Sequence, residues 1–183
     1  MVLIVKCDEA NVRTVRQAWE RHGRPDGLRT LLEAEVAAGV QQPTRLKEGS
    51  AALALLWSMR MKRFWVSVAD GIADASGPPS TTVALASYEA EVEPFHGFLL
   101  KHIHRPAMQA LPCREKLLSR MAVGWDSSTN QPSTKPDSSA PAGSERMEIC
   151  LHDLRECVEV TRRVVDHVQG LLDELQLHDP RRL

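Results

Sequence analysis

The chain has 183 residues, of which 43% are hydrophobic and 26% charged, and this suits one globular domain spanning 1–183 with an interior of its own. A formal net charge of -1 excludes recognition of nucleic acid by overall charge, so a partner has to be met through local chemistry. Lys6, Asp8 and Glu9 cut short the apolar opening MVLIV, and the longest apolar run, Ala51 to Trp57, is far below the roughly 20 residues that span a bilayer, so a cytoplasmic protein is expected.

Apolar residues recurring every three or four positions make the chain all-α, with no alternating strand pattern after the opening MVLIV. Val12, Val15 and Trp19 predict a first helix over 8–21, closed by His22-Gly23, and a second follows over 28–38 and stops at Gly39. Ser50 is a good N-cap for a third helix reaching about Gly71, on which Leu53, Trp57, Arg60 and Phe64 share one face. Pro78, Pro79 and Ser80 begin the next helix, Pro94 interrupts it before Phe95-His96-Gly97-Phe98, and the helix after that meets a kink or boundary at Pro106. The segment 126–144 is rich in Ser and Pro with no large apolar side chain, and is expected to be a disordered loop. Beyond it, Leu151, Leu154, Val158, Val165, Val168, Leu172 and Leu175 define one long amphipathic helix.

Cys7, Cys113, Cys150 and Cys157 show no zinc-type spacing, and Cys150 and Cys157, seven apart, are expected to share a packed helix face as free thiols. His96, His102 and His104 lack the i, i+4 spacing of a two-His helical site, so no metal is expected. The phosphate-binding loops, nucleophile elbows and HExxH signatures of enzymes are missing as well. Trp57 is different, because an apolar turn precedes it and Ser58, Arg60, Lys62 and Arg63 follow. Taken alone it is either a core residue or a flat surface on which a sugar ring stacks its C–H groups.

In order, Asn11 to Trp19 (NVRTVRQAW), Leu28 to Glu35, Gly49 to Phe64 (GSAALALLWSMRMKRF), Ser87 to Phe98 (SYEAEVEPFHGF) and Ala107 to Leu118 resemble the glycolipid transfer protein family over nearly the whole chain. The sharpest parts are the A-L-x-W-x-x-R-x-x-R-F block and the H-G-aromatic step. The resemblance implies an all-α two-layer helical sandwich that moves a glycosphingolipid between membranes without catalysis or cofactor, chains in an apolar tunnel and headgroup at the surface. It makes Trp57 the sugar platform, Leu53 its apolar neighbour, Asn11 a ligand of sugar hydroxyls and His96 the donor to the ceramide amide carbonyl. Phe98 stands at a position near the surface that contacts a peripheral, transiently visited membrane, whereas Trp65 has no match in the family pattern and is expected either to pack or to make membrane contact. In the ceramide-1-phosphate branch the positions of Leu53 and Trp57 resemble arginines, so these two residues favour a neutral sugar over a phosphate.

Two departures accompany the resemblance. The D-x-x-x-N-x-x-K pattern has Cys7 and Thr14 at its charged positions, and Asp8 and Arg13 stand one residue away, where a helix turns a side chain by about 100°. Losing charged hydrogen bonds of about 1.5–3 kcal/mol each would weaken sugar binding. The family also has some tens of residues before the Asp position, against six here, so a shortened N-terminus, a missing first helix and an exposed apolar groove are expected. The alternative these departures raise is a lipid sensor, or a transfer-inactive member acting as a protein-interaction module.

Overall fold

The computed structural model describes residues 2–42, 44–122, 125–126, 131–132 and 143–182. In chain order these form α1 (Val2–Arg21), α2 (Leu28–Ala37), a small hairpin of β1 (Gln41–Gln42) and β2 (Arg45–Leu46), and α3 (Ala51–Ala73). Then come α4 (Ser80–Glu91), a 3₁₀ turn (Glu93–Phe95), α5 (Phe98–Gln109), α6 (Arg114–Met121), the short pair β3 (Trp125–Asp126) and β4 (Gln131–Pro132), and α7 (Gly143–Glu174).

The N-terminus of α3 is firmly capped, because its first amides find side-chain acceptors. The buried Glu35 carboxylate accepts from Ala51 N at 2.7 Å and Ala52 N at 2.9 Å, and Ser50 Oγ accepts from Leu53 N at 3.1 Å. These bonds satisfy three of the four free N–H groups at that helix end and place a carboxylate on the positive end of its dipole. The helix so anchored packs against α7, α4, α1 and α2, giving an all-α two-layer sandwich with α3 at its centre.

The core follows the two ends of α3. Leu53, Leu56 and Met59 join Leu32, Val40, Leu46, Val165, Val168, Leu172 and Leu177 at one end, and Phe64, Val68 and Ile72 join Ala84, Tyr88, Val92, Met108 and Leu118 at the other. The apolar stripe of α7 serves both, through Leu151 and Leu154 in the second cluster and Val165 onward in the first.

Several expectations are corrected. The first helix starts at Val2, not near Asp8, since nothing between those residues breaks the hydrogen-bond ladder once it is nucleated. Gly71 does not stop α3, which continues to Ala73; its missing Cβ lets α4 approach, for a Cβ there would lie 2.4 Å from Val83 Cγ1. Pro106 is no boundary, because α5 runs through it to Gln109. The carbonyl it deprives of a partner belongs to His102, which is exposed and can be hydrated. Cys157 is exposed while Cys150 is half-buried against the second cluster, so only one of the pair packs. The two hairpins and α6 were not foreseen, and most of the segment 126–144 lies outside the described residues.

Candidate functional site

Trp57 sits in the second turn of α3, half-buried, where the 3₁₀ turn brings Phe95 and His96 against it. Phe95 meets its ring edge-on at 6.3 Å between centroids, and His96 lies nearly parallel to it, also at 6.3 Å and 23°. The turn is pinned by charge: Arg105 of α5 bonds both carboxylate oxygens of Glu93 at 2.9 Å and reaches Glu89 at 3.0 Å, and Lys101 adds a contact to Glu93 at 3.4 Å. This network ties α4, the turn and α5 into one unit and fixes the rings beside Trp57. Leu53, one turn earlier, is buried in the core beneath.

Arg60, one turn after Trp57 on the same face of α3, is only 8% exposed. Its guanidinium carbon stands 3.5 Å from the Phe95 ring centroid and 4.9 Å from that of Trp57, and Nη2 donates to the carbonyl oxygen of Asp179 at 2.6 Å. Nη1 is buried without a hydrogen-bond partner. Desolvation brings its pKa down to about 10, with Asp179 opposing the shift, so Arg60 remains charged at neutral pH. Asp179 is held in turn by Leu46 N at 3.0 Å and by Arg181, so the C-terminal segment is fastened behind the platform.

His96 is buried at 8% exposure, and Tyr88 Oη lies 2.9 Å from its Nδ1. Burial first, then the neighbouring His104 and Lys101, holds its pKa down to about 4 against a weaker opposing effect of Glu93. The ring is therefore neutral at pH 7. A phenol hydroxyl donates more strongly than a neutral imidazole N–H, so Tyr88 donates to Nδ1 and the proton resides on Nε2. The histidine is thereby set as a donor through Nε2. His104 stacks on Tyr88 at 5.9 Å, and its own pKa is lowered by desolvation.

A pH dependence follows. An unfolded histidine takes a proton near 6.5 and folded His96 only near 4, so between those values the unfolded state binds a proton that the folded state refuses. The contribution of His96 is thus constant above about pH 6.5 and falls, by on the order of 3 kcal/mol, as the pH drops to about 4. Thermal unfolding at pH 7.5, 5.5 and 4.5 is expected to show that decline, and His96→Asn should reduce it, leaving the smaller part due to His104; an equal slope in the variant would contradict the assignment.

On the other side of α3 lies α1. Asp8, Asn11, Thr14 and Val15 are half-buried and Ala18 is buried, which marks the inward face of that helix. Asp8 accepts from Ser58 Oγ at 3.0 Å and pairs with Lys62 Nζ at 3.1 Å. Asn11 stands one turn later on the same face, and its amide has no protein partner among the described residues. The Thr14 hydroxyl is occupied by the Ala10 carbonyl at 3.0 Å. Arg13 is exposed, about 200° around α1 from Asn11. The Cys7 side chain lies outside the described residues.

Phe98 and Trp65 separate clearly. Phe98 is 78% exposed at the start of α5, with Leu99 at 71%, whereas Trp65 is half-buried with its ring 4.8 Å from Phe64 in the second core cluster. Among the described residues there is no group of three His, Cys, Asp or Glu placed to hold a metal ion, and no helix long and apolar enough to cross a membrane. Tyr88, Phe95, Arg60, Ser58 and Lys62 were not singled out as site residues from the sequence. For Arg60 the signal was its i+3 relation to Trp57.

The profile of the family described as "Glycolipid transfer protein (GLTP)" matches residues 4–123. Among solved structures, the chain is similar to FAPP2, which selects simple glycosphingolipids using the GLTP-fold, with a TM-score of 0.73 and 18% identity over 99% of this chain and 78% of that one. Human ceramide-1-phosphate transfer protein in complex with 12:0 ceramide-1-phosphate gives 0.74 at 19% identity, over 97% and 78% of the two chains. The apo form of the mouse ceramide-1-phosphate transfer protein gives 0.71 at 18%, over 97% and 77%. At these identities the likeness shows the fold alone. A search of curated protein sequences finds no significant match.

Proposed function

Because the chain belongs to the glycolipid transfer protein family, we propose that it carries a glycosphingolipid between membranes, with a neutral sugar on Trp57 and the ceramide amide at His96. Proteins of this fold are lipid carriers and not enzymes. The observation that carries the sugar reading is the pairing of a half-exposed Trp57 ring with a buried, uncharged Leu53 one turn before it. A phosphate at that place would need charge-assisted donors, and Arg60, whose guanidinium lies beside the Trp57 ring, is enclosed by Phe95 and committed to the Asp179 carbonyl. His96 Nε2–H suits an amide carbonyl, and the Asn11 amide, which has no side-chain partner among the described residues, suits sugar hydroxyls. Free Cys113, Cys150 and Cys157 accord with the cytoplasm, where thiols stay reduced.

A carrier must also meet the bilayer. Phe98, Leu99 and Ile103 are exposed on α5, an apolar edge that fits a peripheral membrane contact. Transfer of a fluorescent glycosylceramide between phosphatidylcholine vesicles tests the proposal, with labelled ceramide-1-phosphate as the competing cargo. Movement of the glycosylceramide in preference to the phosphate is expected, and Phe98→Ala should slow transfer several-fold without reducing lipid bound at equilibrium. No movement, or a preference for the phosphate, would overturn the reading.

One observation favours the interaction-module alternative. Val12, Val15, Trp19, Leu28 and Leu31 line an open apolar groove of about 400 Å³ between α1 and α2. Native mass spectrometry of the purified protein separates the two, since a carrier retains a lipid and a module does not.

A further inference from the structure

We infer that the open groove between α1 and α2 docks an amphipathic helix of a partner protein, one with apolar residues at i, i+3 and i+7 and acidic residues beside that stripe. The inference goes beyond lipid carriage and does not rest on it. The floor of the groove is the small cluster of Ala18, Leu31 and Ala51, whereas the Trp57 ring packs on the first core cluster. Val12, Arg16 and Trp19 recur at steps of four and three along α1, a span of about 10 Å, and Leu28 and Leu31 line the groove from α2. A helix with anchors at i, i+3 and i+7 presents an apolar stripe of the same length.

The side chains lining the groove define the chemistry of that partner. Val12 is 57% exposed and Trp19 37%, so large apolar groups stand in water at this place. The Trp19 indole N–H donates to the Pro25 carbonyl at 2.9 Å, which satisfies its polar atom within the chain. What the ring offers outward is carbon alone, and this calls for a dry, apolar contact; a tryptophan serving a lipid headgroup region keeps its N–H for that wet surface. Gly27, at a φ of +92°, forms one lip of the groove without a side chain. Arg16 is the charged residue of the lining, and the guanidinium carbon of Arg24 lies 5.6 Å from the Trp19 ring centroid. Neither belongs to an ion pair among the described residues, and no carboxylate lines the groove, so the complementary flank is acidic. A second copy of this chain does not supply that flank from its most exposed apolar edge, because α5, which carries Phe98, Leu99 and Ile103, contains no Asp or Glu. A groove of about 400 Å³ takes only a few side chains, which puts the complex in the weak, transient class with a Kd on the order of micromolar.

The test uses the full chain as bait for a phage-displayed library of helical peptides with Leu fixed at i, i+3 and i+7 and the flanking positions randomised. Peptides rich in Glu and Asp at the flanks are expected to be enriched. Val12→Asp should weaken the selected peptides at least about 10-fold, and Arg16→Glu should turn the selection toward Lys and Arg flanks. Both substitutions fall on exposed positions, so both variants should melt near wild type. No enrichment, enrichment of basic flanks by the wild-type chain, or binding indifferent to Val12→Asp would overturn the inference. So would a wild-type dimer in sedimentation, or wild-type binding to phosphatidylcholine vesicles, that Val12→Asp abolishes, since the first gives the groove to a second copy and the second to a bilayer.

Discussion

Trp57→Ala is expected to lower capture of a glycosylceramide about 100-fold, the largest functional loss of any single substitution in this chain. One indole face covers on the order of 100 Å² of a sugar ring, and at about 25 cal/mol per Å² its removal forfeits roughly 2.5 kcal/mol before hydroxyl contacts are counted. The amide carbonyl loses its register as well, because His96 is held beside that ring and cannot follow the sugar. The ring also packs on the first core cluster and touches Phe95 and His96, so some stability is lost with it. Trp57→Phe separates the two effects. A phenyl ring keeps much of the packing but offers a smaller platform, so a melting temperature within a few degrees of wild type should accompany a loss of about 10-fold in capture. If Trp57→Ala captures glycosylceramide as wild type does, the platform assignment is wrong.

The second large effect concerns Arg60, and its sign depends on the replacement. Arg60→Ala removes a buried side chain held between Phe95, Trp57 and the Asp179 carbonyl, leaving a cavity and a carbonyl without its donor. Large-to-small core changes cost about 2–5 kcal/mol, and at roughly 2–4 °C per kcal/mol for a chain of this size the melting temperature should fall by about 5–15 °C. Arg60→Met fills much of the same volume and also removes a charge whose Nη1 is buried without a partner. A buried, incompletely satisfied charge is often replaced by an apolar side chain at little cost, so this variant should melt within about 1 kcal/mol of wild type. Both variants release the Asp179 carbonyl. Greater protease susceptibility of the C-terminal segment is therefore expected in each, and equal stability of Arg60→Ala and wild type would show that Arg60 is not a strut.

The fold class was legible because helices announce themselves locally. The three-and-four spacing of Val12, Val15 and Trp19, the Ser50 cap and the stripe from Leu151 to Leu175 each depend on residues within a few turns of one another. Trp57, Leu53, Asn11 and His96 were singled out through the order of their motifs, and the structure brings His96 against the Trp57 ring with Leu53 in the core cluster on which that ring packs. Gly71 and Pro106 were misread because both residues usually end helices. One was kept within α3 by the need for α4 to approach at Val83, and the other was tolerated on an exposed face of α5.

What the sequence by itself determined was which residues lie on which face of which helix, since side-chain azimuth follows from a period of 3.6 residues. Only the tertiary structure decided what each face meets. Arg60 was plainly on the Trp57 face, yet its burial depends on Phe95, 35 positions later, folding over it. Asp8 looked rotated out of use relative to Cys7, yet its carboxylate is the one that finds Ser58 and Lys62. Tyr88 and His96 are eight residues apart across a 3₁₀ turn, and that turn, held by Glu93 and Arg105, joins hydroxyl to imidazole. Periodicity is local, whereas the angle at which one helix crosses another is set by packing between distant segments. Residues facing one another across such a crossing carry no mark of it in the order of the chain.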